Sequence, residues 1–379
     1  MSKLDELIQE LCPNGVEYKV LGELCNICTG KLNANAKDED GIYPFFTCDA
    51  NPYKINEYAF DTSAILISGN GSQVGHLNQY EGKFNAYQRT YVLDNFKLVI
   101  KPFLFHFMDA YLKPYIMVNC KKGSVPYITL PMLQSFKVPV PPLEVQREIV
   151  HILDSFTLLT AELTAELTAR KKQYEYYRDT LLTFNDNNPL HSLISRYCPN
   201  GVEYKKIGDI AFISTGSKLR DIQESHSLYE YINAGTTNSG YSLDWNCDGD
   251  VVTTPSRGQG GIGYVGYQKN KFWLGPLCYK IVGNADFVLN KYLYYYLSNN
   301  SYEILSLKKD GGVPAINKSD LEELILSVPP LEVQRQIVQI LDRFDTICSD
   351  LNIGLPAEIE ARQKQYEFYR DKLLSFKQL

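Results

Sequence analysis

Cys12-Pro13-Asn14-Gly15-Val16-Glu17-Tyr18-Lys19 returns, identical, as Cys198-Pro199-Asn200-Gly201-Val202-Glu203-Tyr204-Lys205. An octapeptide that recurs unchanged marks an internal repeat, and the register persists downstream. Pro142-Leu143-Glu144-Val145-Gln146-Arg147 matches Pro330-Leu331-Glu332-Val333-Gln334-Arg335, and Gln173-Tyr174-Glu175-Tyr176-Tyr177-Arg178-Asp179 matches Gln365-Tyr366-Glu367-Phe368-Tyr369-Arg370-Asp371. Each half of the chain is therefore one copy of a single unit. Between these anchors the copies diverge, keeping a skeleton of Gly75 with Gly263, Lys83-Phe84 with Lys271-Phe272, and Val125-Pro126 with Val313-Pro314. The shared pieces read as framework and the divergent pieces as readout.

The framework carries two helical stripes. Apolar residues alternate at four and three positions from Val145 to Phe184, through Ile149, Phe156, Leu163, Leu167 and Tyr174, and again from Val333 to Phe376, through Ile337, Phe344, Leu351 and Tyr366. That spacing predicts a helix with one apolar seam. Pro141 and Pro142 suit its start, because proline fits the first turn and not the interior. Two stripes of about forty residues, each about 60 Å long, invite pairing as an antiparallel coiled coil. In the second stripe Gly354-Leu355-Pro356 intervenes, and Pro356 is expected to break or kink the helix. The first stripe holds a tandem tetrapeptide, Thr160-Ala161-Glu162-Leu163-Thr164-Ala165-Glu166-Leu167. One four-residue step adds about 6 Å and about 40° beyond a full turn, so a repeat can be gained or lost while the leucine stripe nearly survives, as an adjustable spacer requires.

The intervening parts read as strand-rich. Ala64-Ile65-Leu66-Ile67 and Asp250-Val251-Val252-Thr253 are strand-like and run into glycine-rich turns, while Phe103–Met108 and Tyr292–Leu297 read as short buried helices. The expected fold class is α+β: two strand-rich mixed α/β domains at 1–144 and 185–332, separated by spacer helices at 145–184 and 333–379, with an approximate two-fold repeat forming a dumbbell.

Composition narrows the function classes. A chain of 379 residues, 44% hydrophobic and 22% charged, is of ordinary globular type and long enough for two or three domains. Charges run through the N-terminus and no apolar run approaches a bilayer span, so a cytoplasmic protein without a membrane partner is expected. Nine cysteines are scattered except for Cys25 and Cys28, which suits reduced thiols. That pair faces Ala211 and Ser214 in the second copy, so no metal site is expected there. The net charge of −6 argues mildly against a nonspecific nucleic-acid coat, and the local distribution has to decide.

Locally the second copy is basic. Pro255 to Lys271 contains Arg257, Gln259, Tyr264, Tyr267, Lys269 and Lys271 and no carboxylate. Arginine reads guanine and the amides read adenine at major-groove edges, whereas lysine suits phosphate. Arg257 and Gln259, with Tyr264 and Tyr267, are thus base-readout candidates, and Lys269 and Lys271 backbone candidates. The aligned stretch of the first copy offers Asn70, Ser72, Gln73, His76 and Asn78, followed by Gln88 and Arg89 for bases and Lys83 for phosphate. Lys121-Lys122 and Lys308-Lys309 recur before the Val-Pro motif as further phosphate candidates. Different side chains on one skeleton imply a different sequence read by each half.

No catalytic residue is expected. Asp61 with Glu81 and Lys83 superficially fits the acidic pattern of metal-dependent nucleases, but Lys269 stands opposite Glu81. Asn51-Pro52-Tyr53 resembles part of an adenine methyltransferase loop but lacks its second proline, and Gly69-Asn70-Gly71 lacks the spacing of a phosphate fingerprint.

The helical motifs, with Ile152-Leu153-Asp154 and Ile340-Leu341-Asp342 between them, resemble those of the specificity subunit of type I restriction-modification systems, in the branch with Thr-Ala-Glu-Leu spacer repeats. The resemblance covers nearly the whole chain. It implies two target-recognition domains, each reading one half of a split target in double-stranded DNA, with helices that set the gap. It also implies two methyltransferase subunits using S-adenosylmethionine and two restriction subunits using ATP and magnesium, this chain holding no cofactor. A coiled-coil scaffold without DNA readout, or a self-contained methylase or nuclease, are the rival readings.

Overall fold

In the computed structural model residues 3–119, 126–226, 228–258, 260–309 and 313–379 are described. The chain divides into two compact units, Met1–Thr164 with Glu358–Leu379, and Ala165–Ala357. Both are mixed α/β.

In the first unit, strands β2 (Asn26–Thr29), β3 (Tyr43–Phe46), β4 (Tyr53–Ile55), β5 (Phe60–Ser68), β6 (Leu77–Ala86) and β7 (Thr90–Asp94) form one sheet in the order β2-β7-β5-β6-β3-β4. A separate antiparallel pair joins β1 (Glu17–Val20) to β8 (Lys137–Val140). The strand-like run of β5 explains the layering. Successive side chains alternate faces, so Ile65 and Ile67 enter one core with Phe103, Leu104, Phe107 and Met108 of the helix Lys101–Asn119, while Ala64 and Leu66 enter another with Phe46, Phe84 and Val92. The sheet is buried on both faces.

The second unit splits its strands. β10 (Ala211–Thr215), β16 (Cys278–Gly283), β13 (Val251–Pro255) and β14 (Gly266–Gln268) make a four-stranded sheet in that order, and β12 (Tyr241–Ser242), β11 (Tyr229–Ile232) and β15 (Phe272–Leu274) a three-stranded one. β9 (Glu203–Lys206) pairs with β17 (Ile325–Val328) as β1 does with β8. The helix Asn290–Asn299 buries Tyr292, Leu293, Tyr295, Tyr296 and Leu297.

The first framework stripe is one continuous helix, Leu143–Leu181, of 39 residues. The second is two helices of 19 residues each, Leu331–Ser349 and Leu355–Leu373, and not a single kinked one. The break falls ahead of Pro356, which occupies the first turn of the following helix, where its missing N–H leaves no bond unmade. Asp350 makes the turn: its Oδ1 accepts from Asn352 N at 2.7 Å and from Ile353 N at 3.2 Å. Leu351, expected in the apolar seam, sits in this turn and is 72% exposed. Ile149 and Ile337 are fully buried, each against its own domain. In the first unit Phe156 stacks on Tyr369 with centroids 5.4 Å apart; in the second, Tyr177 stacks on Phe344 at 5.4 Å and Tyr174 lies at 6.3 Å from it. Leu163 and Leu167 are half-buried.

The Pro-Leu-Glu-Val-Gln-Arg motif owes its repetition to its glutamine. Gln146 Nε2 donates to the carbonyls of Leu98 and Pro141, both at 2.8 Å, and Oε1 accepts from Ile100 N at 2.9 Å. Gln334 repeats all three bonds with Phe287, Pro329 and Leu289, at 2.8, 2.7 and 2.9 Å. Both side chains are fully buried, so each amide staples the start of a framework helix to its domain.

Candidate nucleic-acid interface

The two glycine-rich loops follow β5 and β13 and are held down by the same device. Gly75 and Gly263 have φ of 81° and 92°, in the left-handed region that favours glycine. A Cβ there would stand 2.9 Å from Ile116 Cδ1 at Gly75 and 3.3 Å from Leu305 Cβ at Gly263. Each loop is also stitched to the segment just beyond the Val-Pro motif. Ile128 N donates to Gly69 O at 2.8 Å, and Ile316 N to Ser256 O at 2.9 Å. Tyr91 and Tyr279 add matching hydroxyl bonds to the carbonyls of Ile128 and Ile316, at 3.0 and 3.1 Å.

In the first unit this brings Asn70, Gln88 and Arg89 together with Tyr127 around one cleft of about 310 Å³. Cys48 Sγ donates to Asn70 Oδ1 at 3.0 Å, Gln88 Nε2 donates to Asn33 Oδ1 at 2.9 Å, and Arg89 is exposed. Ser72 and Gln73 are exposed on the loop, and half-buried His76 closes it through its carbonyl, which accepts from Ser68 N at 3.0 Å. Asn78 opens β6 and donates to Ala50 O at 3.3 Å. Lys83 lies elsewhere. It pairs in register with Asp61, about 23 Å along β5 from Ser68, with its ammonium 4.6 Å from the Tyr58 ring centroid.

In the second unit Arg257 is exposed beside Ala315, and Lys309 N donates to Ala315 O at 2.9 Å, so the 308–309 pair borders the same loop. Lys309 Nζ is 2.6 Å from Asp320 Oδ2, and that ammonium holds the Asp320 carboxyl below its ordinary range. Tyr264 is 42% exposed. Tyr267 is half-buried, its hydroxyl donating to Asp250 and its ring lying 4.3 Å from the Lys291 ammonium. Lys269 lines a cleft with Asp342, Asp345 and Asp350, and Lys271 sits 4.0 Å over the Trp245 ring and 3.7 Å from Asp248 Oδ1. Gln259, Lys121 and Lys122 lie outside the described residues.

Sequence reading missed a second loop in each unit. Parallel pairing of β3 with β6, and of β11 with β15, places residues 47–52 and 233–239 beside the glycine loops. Gly261 is so close to Gly235 that a Cβ would stand 2.8 Å from its nitrogen. Thr236 and Thr237 are exposed there. Such pairing is long-range, and no local periodicity announces it.

Among the described residues no group of three or more His, Cys, Asp or Glu side chains is placed to hold a metal ion, and no helix is long and apolar enough to cross a membrane. Burial pushes the Cys25 thiol up to about 12 and raises that of Cys28, which keeps both protonated.

A duplicated chain with two loop-bearing α/β domains, each mounted on framework helices, defines a class of paired recognition modules. The type I restriction modification DNA specificity domain matches residues 13–170 and again 199–361, one match per copy. The chain belongs to this family, whose members are the specificity subunits of type I restriction enzymes, a non-catalytic class. It is 31% identical, over 95% of its length and 96% of the relative's, to a putative type I restriction enzyme specificity subunit of Haemophilus influenzae. It is likewise 31% identical to the EcoR124I/EcoR124II specificity subunit of Escherichia coli, over 83% and 87% of the two chains. Its fold is similar to the S subunit of a type I restriction-modification system from M. genitalium, with a TM-score of 0.69 at 16% identity over 96% and 97% of the chains.

Proposed function

We propose that this chain selects a bipartite target in double-stranded DNA, the first unit reading one half and the second the other. The first would use the cleft of Asn70, Gln88 and Arg89 with Ser72, Gln73, His76 and Asn78 around it; the second would use Arg257, Gln259 and Tyr264, with Lys308 and Lys309 at the phosphates. The observation that carries this reading is a shared mount with unlike contents: the Gly75 and Gly263 loops are anchored alike, yet one presents amides and the other a guanidinium. A mere structural turn has no reason to diverge so selectively.

In this proposal the framework helices pair as an antiparallel coiled coil of approximate two-fold symmetry, set the unspecified gap and dock two methyltransferase subunits, with two restriction subunits as further partners of the complex in the cytoplasm. Tyr176 and Phe368, exposed at matching positions of the repeated motif, offer those partners equivalent surfaces. S-adenosylmethionine, ATP and magnesium would serve in the partners. Mapping methylated adenines in host genomes with and without this chain tests the reading. The expected result is one split motif that vanishes with the chain; methylation without sequence preference, or unchanged by deletion, would overturn it.

A further inference from the structure

The octapeptide that opens each copy is the same eight residues in two different surroundings. In the first unit the segment beyond the last helix closes over it. Val16 N donates to Lys377 O at 2.9 Å, Leu379 N donates to Val16 O at 3.1 Å, and Tyr18 donates to Phe376 O at 3.2 Å. Gln378 thus pairs in parallel with Val16, which is 3% exposed, and a Cβ on Gly15 would stand 2.5 Å from Lys377 O.

In the second unit the same backbone edge is unpaired, although the Val202 side chain is half-buried against the core. Among the described residues no backbone group pairs with Val202 N, and a Cβ on Gly201 would meet nothing within 4 Å. Tyr204 is 67% exposed. Beside it opens a cleft of about 360 Å³ lined by Tyr197, Gly201, Glu203, Lys205, Asp286 and Phe287. The backbone is nonetheless set alike: Gly15 and Gly201 both have positive φ, at 121° and 90°, and β9 meets β17 in the register of β1 and β8.

We propose that this face of the second unit is a strand-addition site for an extended segment of a partner protein, of the aromatic-basic-amide-aliphatic kind that Phe376-Lys377-Gln378-Leu379 supplies to the first unit. Main-chain bonds to Val202 give such a segment its hold, and the cleft selects its side chains. Charge agrees with a basic residue in the ligand. Glu203 is spent on Lys205 at 2.9 Å, which leaves Asp286 without an ion pair among the described residues. A second copy of this chain is the weaker occupant, because its own segment is already spent on Val16. Moving it to Val202 of another copy would exchange like bonds while forfeiting the effective concentration that tethering provides.

The test uses the full chain and a fluorescent peptide, Leu-Ser-Phe-Lys-Gln-Leu, followed by anisotropy. Saturable binding of one peptide per chain is expected, weakened about tenfold by Val202→Pro, which removes one backbone donor, and also weakened by Asp286→Lys at an exposed position that leaves the fold intact. Absence of saturable binding, or binding indifferent to both substitutions, would overturn the site. Concentration-dependent dimers of the full chain that disappear on truncation after Phe376 would overturn the assignment to a different protein.

Discussion

His106 and Asp154 lie 2.9 Å apart, Nε2 to Oδ1, while the other ring nitrogen of His106 stands 3.2 Å from the Tyr366 hydroxyl. One imidazole, only 6% exposed, thereby joins three elements of the first unit: the buried domain helix, the start of the long helix and the last helix. The second unit meets the same need with different chemistry, Tyr295 donating its hydroxyl to Asp342, the matching aspartate. The recurring Ile-Leu-Asp motif is therefore a mounting point that accepts whichever donor the domain supplies.

His106→Ala should destabilise the first unit by about 1 kcal/mol, the net worth of its bond to the half-buried Tyr366 hydroxyl, because the exposed Asp154 carboxylate can turn to water instead. Chemical denaturation of the variant, set against Asp154→Ala and the double change, measures it. Strictly additive losses would show that the pair does not interact.

Replacing Gln146 with leucine should be worse than its burial suggests. The substitution fits the volume but orphans Ile100 N and two carbonyls at once, and each unsatisfied buried group costs about 1 to 3 kcal/mol. Faster amide exchange confined to the first unit is the expected readout, with Gln334→Leu producing the same effect in the second. Uniform exchange across both units would contradict a local staple.

The sequence made the framework legible because it is local and doubled. The octapeptide, the Gln146 and Gln334 motif and the glycines at 75 and 263 recur at matching positions of the two copies, and the run Ala64 to Ile67 has the pattern of a core strand. The site was legible only in part. The two loops bearing Asn70 and Arg257 follow their strands as the sequence pattern implies, yet Lys83 and Lys269, close in sequence, are carried away along extended strands at about 3.3 Å per residue. The neighbouring loops at 47–52 and 233–239 stayed hidden because parallel strand pairing leaves no short-range pattern. Likewise Pro356 signalled a break but not its place, which Asp350 decides by capping two backbone amides.

Stability should fall in alkali. Burial holds the phenols of Tyr174 and Tyr366 up at about 12, above the value of about 10 expected in the unfolded chain. The folded state therefore retains protons that the unfolded state releases, so this contribution is complete below about pH 10 and is lost as pH climbs toward about 12. Melting temperature should decline over that window, and Tyr174→Phe should shallow the decline. A slope unchanged in that variant would assign the loss to other groups.

Arg257→Ala should relax one position of the second half-site at a cost of about 1 to 3 kcal/mol on the native target. Arg89→Ala should do so in the first half-site. Binding by the chain with its methyltransferase partner, measured across single-base variants, separates the outcomes. A loss equal on all sequences would instead identify either guanidinium as a phosphate contact.

Inserting one more Thr-Ala-Glu-Leu after Leu167 should lengthen the unspecified gap and leave both half-sites unchanged. The insertion point lies within the continuous helix Leu143–Leu181, so four added residues extend it by about 6 Å with about 40° of rotation. That translation corresponds to about two base pairs at about 3.4 Å each, and the helical stripe stays nearly in phase because Leu163 and Leu167 already recur at this interval. The matching stretch before Gln365 instead contains the Asp350 turn, where an insertion would enlarge a loop and leave the gap as it was. Motif mapping of both insertions decides the matter: a longer gap from the first alone supports a helical ruler, and altered half-sites from either would refute it.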